Sequence, residues 1–271
     1  MIKKTISIVT LLCTLVGCNA QKSAKNIEEN EVAKTVQETV DTFTTSEGTS
    51  IKMYCIKHGS VRMQIEQSEE KWIYVDPVTN AVQPATDFST MPKADYIFVT
   101  HEHFDHLDSV AIRQLTKEGT TLITNPRSSE ILGGKGSVMK NGDVMLLWLG
   151  KGYSGGTWRV DAVPAYNTSP DKQQFHPKGR DNGYVLTIDG FRIYIAGDTE
   201  DIEEMKDIKD VDVAFLPCNL PYTMSPEQLA KAAKMINPKV LFPYHYGQTD
   251  IQQVVKHLEG SGIDVRIRQY Q

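Results

Sequence analysis

The chain has 271 residues, of which 40% are hydrophobic and 23% charged, and its formal net charge at pH 7 is −5. An acidic chain lacks the basic surface that neutralises phosphates, so the composition disfavours a nucleic-acid partner. About 220 residues follow an apolar start and a polar stretch, which is enough for one sizeable domain with a substantial core.

Residues 1–18 have the features of an export signal. Lys3 and Lys4 precede a short apolar stretch that ends in Leu15-Val16-Gly17-Cys18. The apolar stretch is too short for a stable transmembrane span. Its last four residues resemble a bacterial lipobox, in which the peptide is cut before a cysteine that is then acylated; an ordinary signal with a chance cysteine is the alternative. We expect an exported lipoprotein, anchored in the cell envelope through lipid on Cys18.

Residues 19–48 are predicted to be a flexible polar tether. They are rich in Lys, Glu, Asn, Thr, Ser and Gln and contain few large apolar residues. Such a stretch cannot bury enough apolar surface to offset the entropy of ordering it. Val32, Val36 and Val40 recur every four residues, which allows a marginal helix. The folded domain is predicted to occupy residues 49–271.

The first half of this domain begins with strands and then alternates strands with helices. Residues 61–66 alternate apolar and polar side chains, the period of a half-buried strand. Asp108 can cap a helix that Gly119 stops, and Asn125-Pro126 supplies a cap and a first-turn proline for another. The predicted strands are 51–57, 61–66, 71–75, 96–99 and 120–124, and the predicted helices are 109–118 and 126–132.

The second half contains more strand. Asp189-Gly190 is a strong hairpin signal between two apolar runs. Ser225-Pro226-Glu227-Gln228 supplies a cap, a first-turn proline and a capping-box glutamine, which predicts a helix over 226–236. The alternation of strands and helices indicates an α/β fold with helices covering a sheet. The other predicted elements are strands 144–149, 157–163, 183–188, 191–196, 211–216, 240–243 and 265–269, and a helix at 251–258.

Two further sequence features concern repetition and cysteines. The strand end Trp72-Ile73-Tyr74-Val75-Asp76 echoes Ile193-Tyr194-Ile195-Ala196-Gly197-Asp198, but one echo does not establish a duplication. Once the signal is lost and Cys18 is acylated, Cys55 and Cys218 remain. An exported protein could join them in a disulfide, but two separated apolar strands favour buried free thiols.

Four metal-ligand side chains lie within six residues after the strand at 96–99. They are His101, His103, Asp105 and His106. Because strand residues alternate sides, the first three can point the same way while His106 turns elsewhere, which suits two metal positions. First-row divalent metals favour imidazole and carboxylate donors, and burying so many titratable groups without a metal would require a partner for each.

Two later strand ends offer the same kinds of donor. Asp198 lies in Ala-Gly-Asp-Thr, where Gly197 allows a sharp backbone turn, and His245 lies in Phe-Pro-Tyr-His-Tyr-Gly. Alone, each could be a turn aspartate or an ordinary histidine. Three strand ends with metal donors instead predict a shared site at one edge of a sheet, where α/β folds commonly place chemistry.

With these residues in place, the chain resembles the metallo-β-lactamase superfamily, whose first signature is His-x-His-x-Asp-His. Segments 74–77, 163–167 and 176–179 are similar to the branch containing L-ascorbate-6-phosphate lactonase and the phospholipase D that hydrolyses N-acylphosphatidylethanolamines. The resemblance implies an α/β fold, a four-layer αβ/βα sandwich of two mixed β-sheets with helices outside. It also implies zinc, as one or two ions, and sometimes manganese.

The resemblance also implies a ligand assignment. One metal would be held by His101 and His103, the other by Asp105, His106 and His245, and Asp198 would bridge them. The superfamily's third histidine for the first metal is missing near Ala165-Tyr166-Asn167. His176, nine residues after Asn167, is the candidate replacement if its loop folds back; Asn167, water alone or a single-metal site are the alternatives.

The implied reaction is attack by a zinc-held hydroxide on an ester, lactone or phosphodiester. Asp105 would be catalytic by orienting that hydroxide, and His176 by protonating the leaving group if it is not a ligand. Asp76 and His58 could orient ligating imidazoles, or could be a turn residue and an exposed histidine. The spacing His-x-His rather than His-x-Glu, without a flavin-binding domain, argues against the diiron oxygen-reducing members.

The substrate is expected to be a small or lipid-like molecule. A basic loop over 171–180 could hold a phosphate or carboxylate, or could simply be solvated. No β-lactam-specific determinant is visible. The leading hypothesis is a lipid-anchored zinc hydrolase, and the alternative is a non-catalytic binding lipoprotein, suggested by the missing histidine. The basic residues of the loop are Lys172, Lys178 and Arg180, and a candidate apolar wall comprises Tyr166, Phe175, Tyr222 and Tyr246.

Overall fold

The computed structural model describes residues 39–66, 69–147 and 158–270. The predicted signal peptide and residues 19–38 of the predicted tether lie outside these ranges. Within them, every helix is too short or too polar to cross a membrane.

Two seven-stranded sheets form the frame, and the strands of each sheet follow chain order. The first sheet contains β1 (Val40–Thr44), β2 (Ser50–Lys57), β3 (Ser60–Glu66), β4 (Glu70–Val75), β5 (Tyr96–Val99), β6 (Thr121–Thr124) and β7 (Ser137–Val138). The second contains β8 (Val144–Leu147), β9 (Trp158–Ala165), β10 (Asp181–Ile188), β11 (Phe191–Ile195), β12 (Val213–Pro217), β13 (Val240–Tyr244) and β14 (Asp264–Val265). The helices are α1 (Ser109–Leu115), α2 (Pro126–Ile131), α3 (Pro226–Ile236) and α4 (Gln252–His257), with 3-10 turns at Phe88–Thr90 and Glu203–Asp207.

The two sheets share one plan. In each, the first four strands pair antiparallel, and the fourth to seventh pair parallel. Strands β4 and β11 are therefore equivalent fourth strands. The sequence echo between their ends corresponds to equivalent positions in the fold, and it places Asp76 and Asp198 at matching points.

The central parallel strands are buried on both faces. In β5, Tyr96 and Phe98 belong to a core shared by both sheets, whereas Ile97 and Val99 pack with α1. The ring centroid of Phe98 lies 5.2 Å from that of Tyr184 in the second sheet. Alternate residues thus face two different layers, which explains the continuous apolar runs of these strands.

The second sheet repeats this arrangement. Phe215 of β12 joins the core between the sheets, while Ala214 and Leu216 pack with Leu229 and Ala233 of α3. The layers therefore run helix, sheet, sheet, helix. This order confirms the predicted sandwich of two mixed sheets with helices outside.

The predicted helix starts are confirmed by their caps. Ser225 Oγ accepts from Gln228 N, and the Gln228 side chain accepts from Ser225 N, so α3 begins with the predicted capping box. Asp108 caps α1, but this helix ends at Leu115 rather than at residue 118. Thr116 adopts extended backbone there, and its Oγ donates to the carbonyl of Ile112 at 2.7 Å.

Strand β1 lies inside the segment predicted to be a tether, so the predicted boundary at residue 48 is wrong. The ring of Phe43 packs on Phe191 with centroids 5.6 Å apart. Asp41 is buried and accepts hydrogen bonds from Arg266 and Arg268. These partners are far away in sequence, and the polar composition around β1 does not reveal them.

Strand β3 is buried on both faces rather than half-buried as its alternation predicts. The guanidinium carbon of Arg62 lies 4.1 Å from the ring centroid of Tyr54 and 5.1 Å from that of Trp72. A cation over aromatic faces can be covered while its charge keeps a favourable contact. Alternation of polar residues therefore does not distinguish a solvated face from this covered one.

Cys55 and Cys218 form no disulfide, as predicted, but only Cys218 of the two is buried; Cys55 is partly buried, and its Sγ donates to the hydroxyl of Tyr270 at 2.9 Å. Burial raises the pKa of the Cys218 thiol to about 12, so this cysteine is packed as a small apolar residue.

Candidate metal centre

The predicted donors converge at one edge of the sandwich. Asp76 follows β4, the His101 to His106 run follows β5, Asp198 follows β11 and His245 follows β13. These are carboxyl ends of parallel strands, which meet at the same edge of their sheets. The two sheets together therefore bring all three predicted strand ends to one place.

The donor atoms form two groups, and within each group all donor atoms lie within 4.8 Å of one another. The first cluster comprises His101, His103, His176 and Asp198, and the second cluster comprises His58, Asp105, His106 and His245. His176 thus takes the place of the histidine missing near residue 165. His58, expected at most to support a ligand, stands among the donors of the second cluster.

Asp198 lies between the two clusters. Its Oδ2 is 3.4 Å from His176 Nε2 and 3.7 Å from His245 Nε2, and its Oδ1 is 3.5 Å from His106 Nε2. The side chain is buried. One carboxylate therefore faces histidines of both clusters, as a bridging ligand would.

Several buried atoms here have no hydrogen-bond partner among the described residues. They include Asp198 Oδ1, His106 Nε2 and His245 Nε2. Leaving a buried polar atom unsatisfied costs about 1–3 kcal/mol each. A cation between these atoms would give all three a partner, so the residues present fit a bound metal.

The electrostatics of His106 point the same way. Burial opposes its protonation, but the carboxylates of Asp198, Asp76 and Asp105 raise its pKa to about 10. The three carboxylates thus favour a positive charge at this position. A divalent metal supplies that charge and displaces the proton.

A carboxylate orients one histidine in each cluster. His106 Nδ1 donates to Asp76 Oδ2 at 2.8 Å, and His176 Nδ1 donates to Asp181 Oδ2 at 3.2 Å. Asp76 also accepts from the amide and hydroxyl of Thr100 at 2.8 and 2.6 Å. Both imidazoles therefore present Nε2 to the site, the arrangement in which carboxylates hold metal-binding histidines. Asp76 contacts the site and is more than a turn residue.

His58 is not an exposed histidine. Its Nε2 donates to Asp105 Oδ2 at 2.9 Å, and its ring centroid lies 3.7 Å from that of His245. Burial lowers its pKa, which favours the neutral imidazole. The carbonyl of His58 accepts from His245 N at 3.2 Å, so backbone and side chain both tie β2 to β13.

The backbone is strained where the donors meet. His58, Asp76 and His245 have φ angles of 50°, 45° and 48°, in the left-handed region. For residues with a Cβ this conformation costs roughly 1–2 kcal/mol each. The fold therefore holds three site residues in conformations that they would not adopt alone.

The loop that carries His176 is held by a buried acid. Glu200 accepts from Ser169 N at 2.7 Å, from Thr168 N at 2.8 Å and from Lys172 Nζ at 2.9 Å. Burial alone would raise the pKa of Glu200, but these hydrogen bonds lower it to about 2. The carbonyl of His176 accepts from Asn167 N at 2.8 Å, which closes the loop.

Asn167 is part of this loop scaffold. Its Nδ2 donates to the carbonyls of Lys172 and Tyr222 at 3.1 and 2.8 Å, while its buried Oδ1 has no hydrogen-bond partner in the described ranges. Of the two residues considered for the first metal, the structure brings His176 into the donor group.

The basic loop does not form an anion site. Lys172 pairs with Glu200, Lys178 pairs with Glu204 at 2.8 Å, and Arg180 pairs with Asp181 at 2.7 Å and with Glu102 at 3.1 Å. Each charge is engaged within the protein. The solvated alternative describes Lys178, whose side chain is largely exposed, whereas Lys172 and Arg180 are mostly covered by their partners.

A cavity of about 770 Å³ opens over both clusters. Phe175 and Tyr222 line it, with ring centroids 5.2 Å apart. The hydroxyl of Tyr166 instead donates to Glu204, and that of Tyr246 to the carbonyl of Arg268, so the predicted wall is half right. The lining residues are His58, Ala81, Val82, Gln83, Glu102, His103, Phe104, Asp105, Phe175, His176, Asp198, Asn219, Tyr222 and His245.

Two residues that shape the site, Asp181 and Glu200, carried no usable signal in the sequence. Asp181 and Glu200 act through contacts made only when the loop folds back. Phe104 could have been noticed, because it is an apolar residue between metal donors, and its side chain is 73% exposed.

Comparisons with known proteins agree with this geometry. The model of the Beta-lactamase superfamily domain matches residues 71–246. A solved structure of a candidate metal-dependent hydrolase from Parabacteroides distasonis is similar, with 50% identity and a TM-score of 0.78, covering 86% of this chain and all of its own.

Curated relatives extend the comparison. A UPF0173 metal-dependent hydrolase from Symbiobacterium thermophilum is 35% identical over 215 residues, covering 75% of this chain and 88% of the relative. One from Anoxybacillus flavithermus is 31% identical over 224 residues, covering 78% and 95%.

Proposed function

The chain belongs to the β-lactamase superfamily and is a metal-dependent hydrolase, and on that basis we propose that it is a two-zinc enzyme that hydrolyses an ester, lactone or phosphodiester. The observation that carries the proposal is the pair of donor clusters joined by Asp198. Imidazole and carboxylate donors suit zinc, and manganese is the alternative metal.

In this proposal, the first zinc is held by His101, His103, His176 and Asp198. The second zinc is held by Asp105, His106, His245 and the same Asp198. Both sets have the three or more protein ligands that zinc sites use. This favours two metals over the single-metal alternative that a missing third histidine had left open.

When bound, zinc would act as a Lewis acid: it would polarise the substrate oxygen and lower the pKa of a bound water. The chain's own residues prepare the site for this chemistry. Asp76 and Asp181 fix the ring orientations of His106 and His176, and Thr100 donates two hydrogen bonds to Asp76.

Asp105 is the proposed catalytic carboxylate. Its Oδ2 lies 2.9 Å from His58 Nε2 and 3.5 Å from His245 Nε2, and it lines the cavity. Burial raises the pKa of this carboxyl, but the neighbouring imidazoles of His106, His245 and His58 lower the pKa by more than burial raises it. The carboxylate therefore stays ionised. It can therefore accept a hydrogen bond from the attacking water and orient it.

His176 is better placed as a ligand than as a free acid. Its Nδ1 donates to Asp181, and its Nε2 points at Asp198. Both nitrogens are engaged in the site, so we assign it to the first zinc and leave the leaving-group proton to bound water.

Lipid anchoring remains part of the proposal and is supported by the sequence Leu15-Val16-Gly17-Cys18. Labelling cells with an alkyne fatty acid should tag the wild-type protein and leave Cys18→Ser untagged. Tagging of both, or of neither, would count against the anchor.

Metal analysis tests the function itself. Elemental mass spectrometry of the purified full chain should give close to two zinc ions, and removal by a chelator should abolish hydrolysis across a panel of esters, lactones and phosphodiesters until zinc is restored. Fewer than one transition metal per chain, or hydrolysis that survives metal removal, would contradict the proposal.

A further inference from the structure

The cavity has a wall of exposed aromatic side chains. Phe104 is 73% exposed and Tyr222 45% exposed, and Phe175 packs edge-on against Tyr222 beside the metal donors. Large apolar side chains left open to solvent beside a polar site mark a surface that a ligand covers. The covering group must itself be apolar to gain from this contact.

The charges of the cavity are acidic wherever they lie outside the donor clusters. Glu102 lines it, with Oε1 paired to Arg180 and Oε2 without a hydrogen-bond partner in the described part of the chain. Within that part, no lysine or arginine lines the cavity. Phosphate and carboxylate recognition by side chains normally uses such cations, so away from the metal donors the cavity offers an anionic group no cationic side chain among the described residues of its lining.

The ammonium group of Lys57, a buried lysine, is bound within a loop beside the cavity. Its Nζ donates to the carbonyls of Thr79, Val82 and Pro84 at 2.5, 2.7 and 2.9 Å. These bonds fix the loop whose Ala81 and Val82 form another part of the cavity wall. All three ammonium donors are engaged, so this wall also presents small apolar side chains and no cation.

Resting on the proposed hydrolase function, we propose that the substrate is an uncharged acyl ester or lactone whose acyl chain lies between the wall of Phe104, Phe175 and Tyr222 and the loop at Ala81 and Val82. The oxygen of water bonds to the acyl carbon and the acyl C–O bond breaks. One proton of that water passes to the leaving alkoxide, and the other is released to solvent as the new acid ionises. The products are a carboxylate and an alcohol.

Matched substrates test this choice with the full-length zinc-loaded protein. Values of kcat/KM would be compared for p-nitrophenyl acetate, p-nitrophenyl octanoate and bis(p-nitrophenyl) phosphate, with the rate of the chelator-treated protein subtracted. The octanoate should exceed the acetate by about tenfold or more, since each buried methylene adds to binding. The anionic phosphodiester should be the poorest substrate.

Variants of the aromatic wall test whether the preference for octanoate over acetate arises there. Tyr222→Ala and Phe104→Ala should each cut the ratio of octanoate to acetate kcat/KM by about threefold or more, with zinc content measured in each variant. Leu146→Ala is the matched control, because Leu146 is 67% exposed on β8 and does not line the cavity. An octanoate advantage that persists in both wall variants would overturn the proposed position of the acyl chain.

A binding measurement distinguishes failure of the substrate inference from failure of the proposed hydrolase function. Calorimetry with octanamide, which is neutral and carries its chain on the acyl side, and with diethyl phosphate should show tighter binding of the amide. Preference for the phosphate in both binding and turnover would overturn the substrate inference and leave the hydrolase function standing. Binding of the amide with no hydrolysis of any substrate would support the apolar site and overturn the proposed function.

Discussion

The two donor clusters are built from different parts of the fold. The second cluster uses strand ends and tight turns: His58, Asp105, His106 and His245 sit next to β2, β5 and β13, and two of them have positive φ angles. The first cluster depends on the long connection between β9 and β10, which supplies His176. One metal position thus belongs to the frame of the sandwich, and the other is completed only when a loop folds back.

This difference should appear as a difference in robustness. A site on strand ends is held by the sheet ladder, whereas a loop site relies on a few anchors, here Glu200, Lys172 and Asp181. We therefore expect substitutions in the anchors to weaken the first cluster selectively. Only the shared ligand Asp198 should affect both clusters at once.

The largest effect is expected for Asp198→Ala. Removing the carboxylate that faces both clusters should lower zinc content below one ion per chain and reduce kcat/KM by about 1000-fold or more. Metal analysis and initial rates would measure both. Asp201→Ala is a matched control, because Asp201 is close in sequence but pairs with Lys231 instead of the site. Retention of two zinc ions by Asp198→Ala would break the bridging assignment.

A pair of variants should then weaken zinc binding at one cluster each. Asp181→Ala should weaken zinc binding at the first cluster about 10–100-fold, and Asp76→Ala should do the same at the second, because each removes the carboxylate that orients one histidine. Competition with a chelator at graded strength would resolve the two affinities. If either variant weakened both positions equally, the clusters would not be separate sites.

Acid should weaken the loop that carries His176, because it is the ionised form of Glu200 that holds this loop. The pKa of Glu200 is lowered from 4.5 to about 2, so its ionised form stabilises the fold above pH 4.5, and this stabilisation is lost as the pH falls toward 2. The loss is about 3 kcal/mol at most. Chemical denaturation at a series of pH values should show this dependence in the wild type and a weaker one in Glu200→Gln. Equal pH slopes for the two proteins would refute the role of Glu200.

The smallest effect is expected for Lys178→Ala. Lys178 pairs with Glu204 on the surface and lies outside the cavity lining. Exposed ion pairs contribute little to stability. Zinc content and phosphodiester hydrolysis should match the wild type; a selective loss with the anionic substrate would restore the phosphate role first considered for this loop.

The sequence predicted the strand-end donors of both clusters, but named His176 only as a candidate ligand and His58 only as a possible support. The donors Asp105, His106 and His245 were predicted because each follows an apolar strand, and strand ends meet at one edge. The capping box of α3 and the hairpin at Asp189-Gly190 were equally local signals, and both are confirmed.

The remaining features depend on contacts between distant residues. His176 could be named only as a candidate, because its place depends on how Glu200 and Lys172 fold its loop. Strand β1 was missed since its stabilising partners, Arg266 and Arg268, lie at the other end of the domain. The same reason applies to Lys172 and Lys178 of the basic loop, whose partners Glu200 and Glu204 lie beyond β11.

Anomalous diffraction from crystals of the full chain, measured above and below the zinc absorption edge, tests the two-cluster assignment most directly. We expect two zinc peaks on either side of the Asp198 carboxylate, one next to His176 and one next to His245. A single peak, or a peak at the first cluster that lies out of reach of His176, would contradict the assignment.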